Sequence, residues 1–209
     1  LPGPVGETYR VERLYTEEMD TLYSKYMKTL QALYSRYRLP VSGGKVRPTQ
    51  MPLDGWMQIF EDSQLFDDEY FTLRDGKLCF QLARMTAVDE INKRKNETLT
   101  FIDFLDALGR AAEIINLPTH KEVTRLGYAD ILDYHTVAMN PLSSKSSRVS
   151  RRESCEFNAV KTRRLNIKVE TLLQLIFRKM DYDSSIKDYF FEEARFRKKL
   201  AIIDQKLGP

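Results

Sequence analysis

The carboxylates with the most suggestive spacing for binding a metal ion lie in the segment "FDDEYFTLRDG". It holds Asp67, Asp68 and Glu69 in a row, with Asp75 six residues further on. Calcium takes about six to eight oxygen ligands that converge on one point. Because adjacent carboxylates point in different directions, we predict a solvated turn between helices here. A metal site built from these four acids is the alternative.

A second group of residues has the spacing of a phosphorylation site. In "RRES", Arg151 and Arg152 come three and two residues before Ser154. Kinases that prefer basic substrates recognise this arrangement, because paired guanidinium groups bind in acidic substrate pockets. A phosphate on Ser154 would add up to about −2 charge beside these arginines and could order the segment. Ser154 is therefore a candidate phosphosite.

Basic charge is concentrated in one part of the chain. Residues 145–168 hold eight basic residues against two acids, whereas the whole chain has a net charge of only +3. Such a segment can contact a tubulin tail, an anionic lipid headgroup or a nucleic-acid phosphate. Phe157 is its one aromatic residue, which weakens the case for single-stranded nucleic acid. The alternative is a solubilising linker. The candidate contacts are Arg148, Arg151, Arg152, Lys161, Arg163 and Arg164.

The remaining residues do not form a catalytic pattern. His120 and His135 have no partners at metal-ligand spacing, and the chain contains neither a phosphate-binding glycine loop nor a nucleophile elbow. Cys79 lies in an apolar helical pattern and is predicted to be a core residue, while Cys155 is predicted to be exposed. Two cysteines so far apart exclude a disulfide framework and fit a reducing compartment. We expect a protein that is not an enzyme and needs no cofactor.

Length and composition bound the class of protein. The chain has 209 residues, of which 42% are apolar and 30% charged, and this suits a soluble globular protein of one large or two small domains. No apolar run reaches the roughly 18–20 residues that a membrane span needs. The opening "LPGPVGETYR" has no initiator Met and no signal-peptide pattern, which leaves open a fragment or a processed chain. A cytoplasmic location is expected.

Hydrophobic periodicity predicts a mostly α fold. After an N-terminal tail at 1–8, apolar residues recur three or four apart from Tyr9 to Tyr37, which predicts one long helix ending before Leu39-Pro40. Similar patterns predict helices at 53–66, 73–91 and 101–115. Thr72 is a plausible N-cap for the third helix, with Asp75 completing a variant capping box.

The second half of the chain divides into three parts. Residues 118–140 predict one or two short helices, and 141–164 a flexible basic linker rich in Ser and Arg. Residues 165–209 predict a C-terminal helical segment, because Val169, Leu172 and Ile176 share one face. This segment could dock on the preceding domain, 9–117, or on a partner.

Two stretches within 9–117 share a spacing. "MPLDGW" and "LTFIDF" each place an apolar residue, Met51 or Leu99, five positions before an aromatic residue, Trp56 or Phe104, that opens a helix. With the order helix–loop–helix repeated twice, this region resembles a tandem pair of the EF-hand superfamily. "LTFIDFLDALGRAA" is similar to the divergent EF-hand domains of ciliary and protist cytoskeletal proteins.

The resemblance implies an EF-hand-like tandem pair of two helix–loop–helix units joined by a short β bridge, followed by C-terminal helices. In that arrangement Met51 pairs with Leu99 across the bridge. Trp56 and Phe104 enter the core at the start of the two exiting helices. Phe101 completes this set of frame residues.

The two loops lack the chemistry of a calcium site. An EF-hand loop needs oxygen ligands at positions one, three, five and twelve and glycine at six. In the second loop, Asn92, Arg94, Asn96, Glu97 and Asp103 fall at one, three, five, six and twelve. Arg94 supplies a cation, Glu97 replaces the turn glycine, and Asp103 is shorter than the usual Glu. In the first loop the ligand positions are Gly44, Val46, Pro48 and Gly55.

These observations predict a non-catalytic, calcium-independent EF-hand-like interaction module. The resemblance implies a structural or adaptor component of a cytoskeletal or ciliary assembly. The partners would be other proteins, such as an amphipathic helix or a cytoskeletal polymer. The alternatives are a calcium-responsive regulator with atypical ligands between Asp67 and Asp75, and a binder of anionic surfaces through the basic segment.

Overall fold

The computed structural model describes residues 8–38, 50–66, 71–84, 97–115, 117–138, 163–182 and 191–206, with backbone only for 138 and 202–206. Within these ranges the protein is mostly helical, as the sequence predicts, and has a two-stranded antiparallel sheet. A π-helix spans Arg10–Leu14. The α-helices are α1 (Glu17–Tyr37), α2 (Leu53–Asp62), α3 (Leu73–Ala83), α4 (Phe101–Ile114), α5 (His120–Arg125), α6 (Ile131–Ala138), α7 (Leu165–Asp181) and α8 (Glu193–Lys206). The strands are β1 (Met51–Pro52) and β2 (Thr98–Leu99).

The predicted single helix from Tyr9 to Tyr37 is wrong, because the chain breaks before Glu17. Tyr15 leaves helical geometry with ψ at 60°, and its N–H closes the π-helix on the Arg10 carbonyl at 2.7 Å. Thr16 then accepts a hydrogen bond from the Met19 N–H and serves as the N-cap of α1. An N-cap threonine followed by an acidic first turn favours a new helix start over continuation.

Two further helices end earlier than the sequence predicts. α2 stops at Asp62 because Ser63 Oγ bonds back to the Ile59 carbonyl at 2.7 Å and Gln64 takes a φ of 50°. α3 stops at Ala83 because Arg84 is extended, so a continuous helix to 91 is wrong. The predicted Thr72–Asp75 capping box is confirmed. Thr72 Oγ1 accepts from the Asp75 N–H at 3.2 Å, and Asp75 accepts from the Thr72 N–H at 2.9 Å.

The helices after 165 belong to the same core as the helices before 117. α7 packs against α4, α1 and α6, and α8 packs against α1. Leu172, Leu173, Ile176 and Phe177 of α7 are fully buried in one cluster with the aromatic residues of α2 and α4. The C-terminal segment therefore docks on the preceding helices, which is one of the two possibilities that its apolar face left open. None of the described helices is long and apolar enough to cross a membrane.

Candidate interaction groove

The two-residue ladder joins the segments that lead into α2 and α4. Met51 lies opposite Leu99 and Pro52 opposite Thr98, and both Met51 and Leu99 are completely buried. The Tyr34 hydroxyl of α1 donates to the Leu99 carbonyl at 2.8 Å. The pairing is the one that the resemblance implies. It fixes the starts of α2 and α4 side by side.

An aromatic cluster lies directly behind the ladder. Trp56 and Phe104 are fully buried with ring centroids 6.1 Å apart, and Trp56 Nε1 donates to the Gly76 carbonyl at 2.9 Å. Tyr34 lies 5.4 Å from the half-buried Phe101 ring and 5.6 Å from Phe104. The Trp56–Phe104 and Tyr34–Phe101 pairs are edge-on, and pairs of this kind contribute about 0.5–1.5 kcal/mol each beyond the area they bury. The predicted frame residues thus form one connected group.

The apolar faces of α1, α2 and α4 that pack against α7 form what we call the α7 groove. α7 contacts all three helices. Val169, Leu172, Leu173 and Ile176 fill the groove with no exposed surface, and Phe177 meets Tyr26 of α1 with ring centroids 6.0 Å apart. This arrangement is an amphipathic helix lying in a groove between helices. The occupant is the chain's own helix.

A buried carboxylate anchors α7 and the π-helix to α4. Glu113 of α4 accepts from Lys168 Nζ of α7 at 2.6 Å and from Arg13 Nε of the π-helix at 3.0 Å. The Glu113 and Lys168 side chains are only 5% and 7% exposed. Paired and hydrogen-bonded charges are the form in which ions are tolerated in a core, and removing one partner leaves the others uncompensated.

A second buried carboxylate binds the π-helix about two turns closer to the start of α4. Asp106 accepts from Arg10 Nε and from Arg110 Nε, each at 2.7 Å, and Arg10 also donates to the Ala83 carbonyl. Burial raises the pKa of Asp106, while Arg110 and Arg10 oppose that shift. The Arg110 guanidinium lies 4.4 Å above the Tyr9 ring. The π-helix is therefore part of the folded unit.

Sequence reasoning missed these ion pairs. Asp106, Arg110 and Glu113 lie four and three residues apart, which places them on one side of a helix whose other residues, apart from the capping Asp103, are apolar. Charged residues with this spacing on an otherwise apolar helix indicate buried ion pairs, and this pattern was the signal available in the sequence. Their partners, Arg10, Arg13 and Lys168, lie more than 50 residues away in sequence.

The two residues predicted at loop position twelve, Gly55 and Asp103, have different roles, packing for Gly55 and helix capping for Asp103. A Cβ atom on Gly55 would lie 1.9 Å from the Tyr37 carbonyl oxygen, so the end of α1 occupies the space of a side chain there. The Asp103 carboxylate accepts from the Thr100 N–H at 3.0 Å and from Thr100 Oγ1 at 2.7 Å. Asp103 thereby completes the capping box of α4.

The other predicted ligands and modification sites are only partly within the described ranges. Asp67, Asp68, Glu69, Asn92, Arg94, Asn96, Ser154 and Cys155 lie outside them. The carboxylate of Asp75 bonds to Thr72. In the ranges that are described, no three His, Cys, Asp or Glu side chains are grouped as metal ligands would be. His120 and His135 lie on different helices, α5 and α6, and Cys79 is a buried core residue as predicted.

Two residues of the predicted basic contact surface are described, and both bond within the chain. Arg163 Nη1 donates to the Leu117 carbonyl at 2.6 Å and Arg163 Nη2 pairs with Glu122 at 3.3 Å, while its own carbonyl accepts from Arg13 at 2.7 Å. Arg164 pairs with Glu18 at 3.0 Å and stays largely exposed. A flexible linker over all of 141–164 is therefore wrong at its last two residues. Arg148, Arg151, Arg152 and Lys161 lie outside the described residues.

No family model matches the chain, and neither the curated proteins nor the solved structures include a match. The relationship to the EF-hand superfamily thus stays a prediction from the spacing of residues and the order of helices.

Proposed function

We propose that the chain is a non-catalytic, calcium-independent EF-hand-like interaction module. The observation that carries the proposal is the contact between Gly55 and the end of α1. In a calcium-binding loop, position twelve supplies a bidentate carboxylate. Here the Tyr37 carbonyl lies 1.9 Å from where even a Cβ atom would be, so an acid at this position would require α1 to move.

The second loop supports the same proposal. The Asp103 oxygen that accepts from the Thr100 backbone also accepts from the Thr100 side chain. This carboxylate stabilises the first turn of α4 without an ion, in the way that capping boxes do. Both loop ends are therefore held by protein contacts, and the ladder between Met51 and Leu99 joins them.

The α7 groove supports a role in binding helices. The frame of α1, α2 and α4 encloses the amphipathic α7, and the buried Glu113 orients it through Lys168. A groove with a fixed shape needs no ion-driven opening to hold a helix. We place the module in a structural or adaptor role within a cytoskeletal or ciliary assembly. That assignment rests on the likeness of "LTFIDFLDALGRAA" to divergent EF-hand domains.

Calorimetric titration of the whole chain with calcium chloride tests the proposal. We expect no binding heat in the micromolar range, and the same melting temperature and helical circular dichroism in calcium and in chelator. A calcium sensor of known affinity provides the positive control. Micromolar binding by this chain would contradict the proposal. If a double variant with Asp67→Lys and Asp68→Lys lost that binding, the result would favour the calcium-responsive alternative.

Affinity capture from cells addresses the interaction itself. Captures made in calcium and in chelator should recover the same partners in the same amounts. The matched control is a chain with Glu18→Gln, which breaks only the exposed pair with Arg164 and should recover the same partners. Partners that leave when calcium is chelated would overturn the calcium-independent role.

A further inference from the structure

A cavity of about 250 Å³ lies between the carboxyl end of α7, α8 and the ends of α1 and α2. Its polar lining consists of Tyr37, Asp62, Lys179 and Lys199, and Phe196 and Leu200 contribute apolar walls. We call it the lysine cavity. It takes no part in the α7 groove or in the ion pairs of Glu113 and Asp106. Nothing in it depends on the interaction role proposed above.

Lys179 brings a cation into this cavity without a matching acid. Its Nζ donates to the Gln64 carbonyl at 3.2 Å, and no described carboxylate lies within ion-pair distance of it. An ammonium group has three N–H donors, of which this contact uses one. Partial burial away from an acid disfavours the charged form and lowers the pKa of Lys179 to about 8.

Lys199 supplies a second ammonium from α8. Its Nζ donates to the Met180 carbonyl at 2.8 Å and to the Asp181 carbonyl at 3.3 Å, at the end of α7. Cations at this position are stabilised by the negative end of the helix dipole. Two of the three donors are used in these contacts, so one remains for a ligand.

Asp62 is the acid among the described lining residues, and its oxygens are already engaged. One oxygen accepts from the Tyr37 hydroxyl, and the other accepts from Gln58 Nε2 at 2.7 Å. Burial and the neighbouring Asp62 raise the pKa of Tyr37 well above its ordinary value, so the phenol stays neutral and keeps donating. Among the described residues that line the cavity, the two lysines outnumber the single acid.

We propose that the lysine cavity binds a small organic carboxylate, with its oxygens on Lys179 and Lys199 and its short apolar part against Phe196 and Leu200. Charge-assisted hydrogen bonds to ammonium groups are among the stronger polar contacts, and an anion offsets the desolvation of a partly buried cation. The size of the cavity restricts the ligand to a short chain. The nearby Asp62 carboxylate disfavours a dianion such as phosphate.

Calorimetric titration of the whole chain with hexanoate is the first test, with hexanol and inorganic phosphate as comparison ligands. We expect hexanoate to bind about tenfold or more tightly than hexanol, because the carboxylate carries a negative charge that strengthens its hydrogen bonds to the ammonium groups, whereas the hydroxyl is a neutral acceptor. Phosphate should bind more weakly than hexanoate. Equal binding of hexanoate and hexanol, tighter binding of phosphate, or no binding of hexanoate at millimolar concentration would overturn the proposal.

Substitution of the lysine locates the site. Lys179→Met keeps the apolar stem and removes the charge, and we expect it to weaken hexanoate binding about tenfold while leaving hexanol binding unchanged. Lys179→Arg should retain most of the affinity. Lys77→Met changes an exposed lysine on α3 and is the matched control. Melting curves verify that each variant folds. Unchanged hexanoate affinity in folded Lys179→Met would reject the site.

A labelling measurement reports on Lys179 directly and does not need a variant. Reductive methylation requires the neutral amine, and a bound carboxylate favours the ammonium form. Hexanoate should therefore slow methylation of Lys179 at pH 8, whereas hexanol should not. Labelling of Lys77 should be unaffected by either compound. Equal protection of both lysines, or no protection of Lys179, would contradict the proposed contact.

Discussion

At the residue scale, Gly55 shows how one missing side chain controls the packing of two helices. It lies inside α2, where alanine would ordinarily be favoured over glycine by about 1 kcal/mol. The Tyr37 carbonyl at the end of α1 takes the space that a Cβ atom would need. The steric term opposes helix propensity here and should exceed it, because the obstacle is backbone and cannot rotate away.

We predict that Gly55→Ala destabilises the protein by at least about 3 kcal/mol, the upper end of ordinary overpacking penalties. The free energy of unfolding can be measured in urea from the fluorescence of Trp56, the single and fully buried tryptophan. The loss should come from displacement of α1 relative to α2.

The control for this substitution is Gly127→Ala. Gly127 has a φ of 83° but no atom within 4 Å of an added Cβ, so its cost should be limited to the backbone strain of about 1–2 kcal/mol. If Gly55→Ala proved as mild as Gly127→Ala, or stabilised the chain, the close approach of α1 would be refuted. A larger side chain, such as an acid, could then be accommodated at residue 55.

At the scale of elements, Glu113 links three helices through two cations. The π-helix and α7 contact the same carboxylate on α4 from positions that are distant in sequence. A buried ion pair contributes less to net stability than its short distances suggest, because desolvation opposes the Coulomb attraction. Removing the shared acid should nevertheless destabilise the fold strongly, because Lys168 and Arg13 would then be left in the protein without their carboxylate partner.

We predict that Glu113→Gln lowers the free energy of unfolding by about 3–5 kcal/mol. Chemical denaturation of the variant beside the unmodified chain measures the loss. The matched control is Glu18→Gln, which breaks the exposed pair with Arg164 and should cost less than about 1 kcal/mol. Comparable losses in the two variants would mean that Glu113 does not hold buried charges.

At the scale of the whole molecule, α7 joins the two parts of the chain into one core. Phe177 is completely buried, and its ring lies 6.0 Å from Tyr26 of α1 and 5.4 Å from Phe196 of α8. A helix enclosed in this way cannot leave without exposing the faces of α1, α2 and α4. The described helices should therefore unfold together.

We predict that Phe177→Ala destabilises the protein by about 3–5 kcal/mol and shifts two probes equally. Trp56 fluorescence reports on α2 and its surroundings, and far-ultraviolet circular dichroism reports on all helices. Ile167→Ala, at a partly exposed position of the same helix, should change stability by less than about 1 kcal/mol. Separate transitions for the two probes would show that α7 forms an independent unit.

The residue order by itself determined the helical class, the capping of α3, the approximate helix positions and the buried face of α7. These features depend on interactions among residues a few positions apart, which a sequence displays directly. The spacing around Met51 and Leu99 also anticipated the ladder between them. The break at Thr16 could have been read from its acidic first turn, but the apolar period continued across it.

The tertiary structure alone decided where α7 docks, which cations meet Glu113 and Asp106, and which side chains line the lysine cavity. Arg13 and Glu113 are 100 residues apart, and Lys179 meets a carbonyl 115 residues before it. Several apolar faces in this chain have similar hydrophobicity, so the local pattern does not determine which of them pair. Shape and charge complementarity in the folded core make that choice, because the observed arrangement buries those faces and gives Glu113 and Asp106 their basic partners.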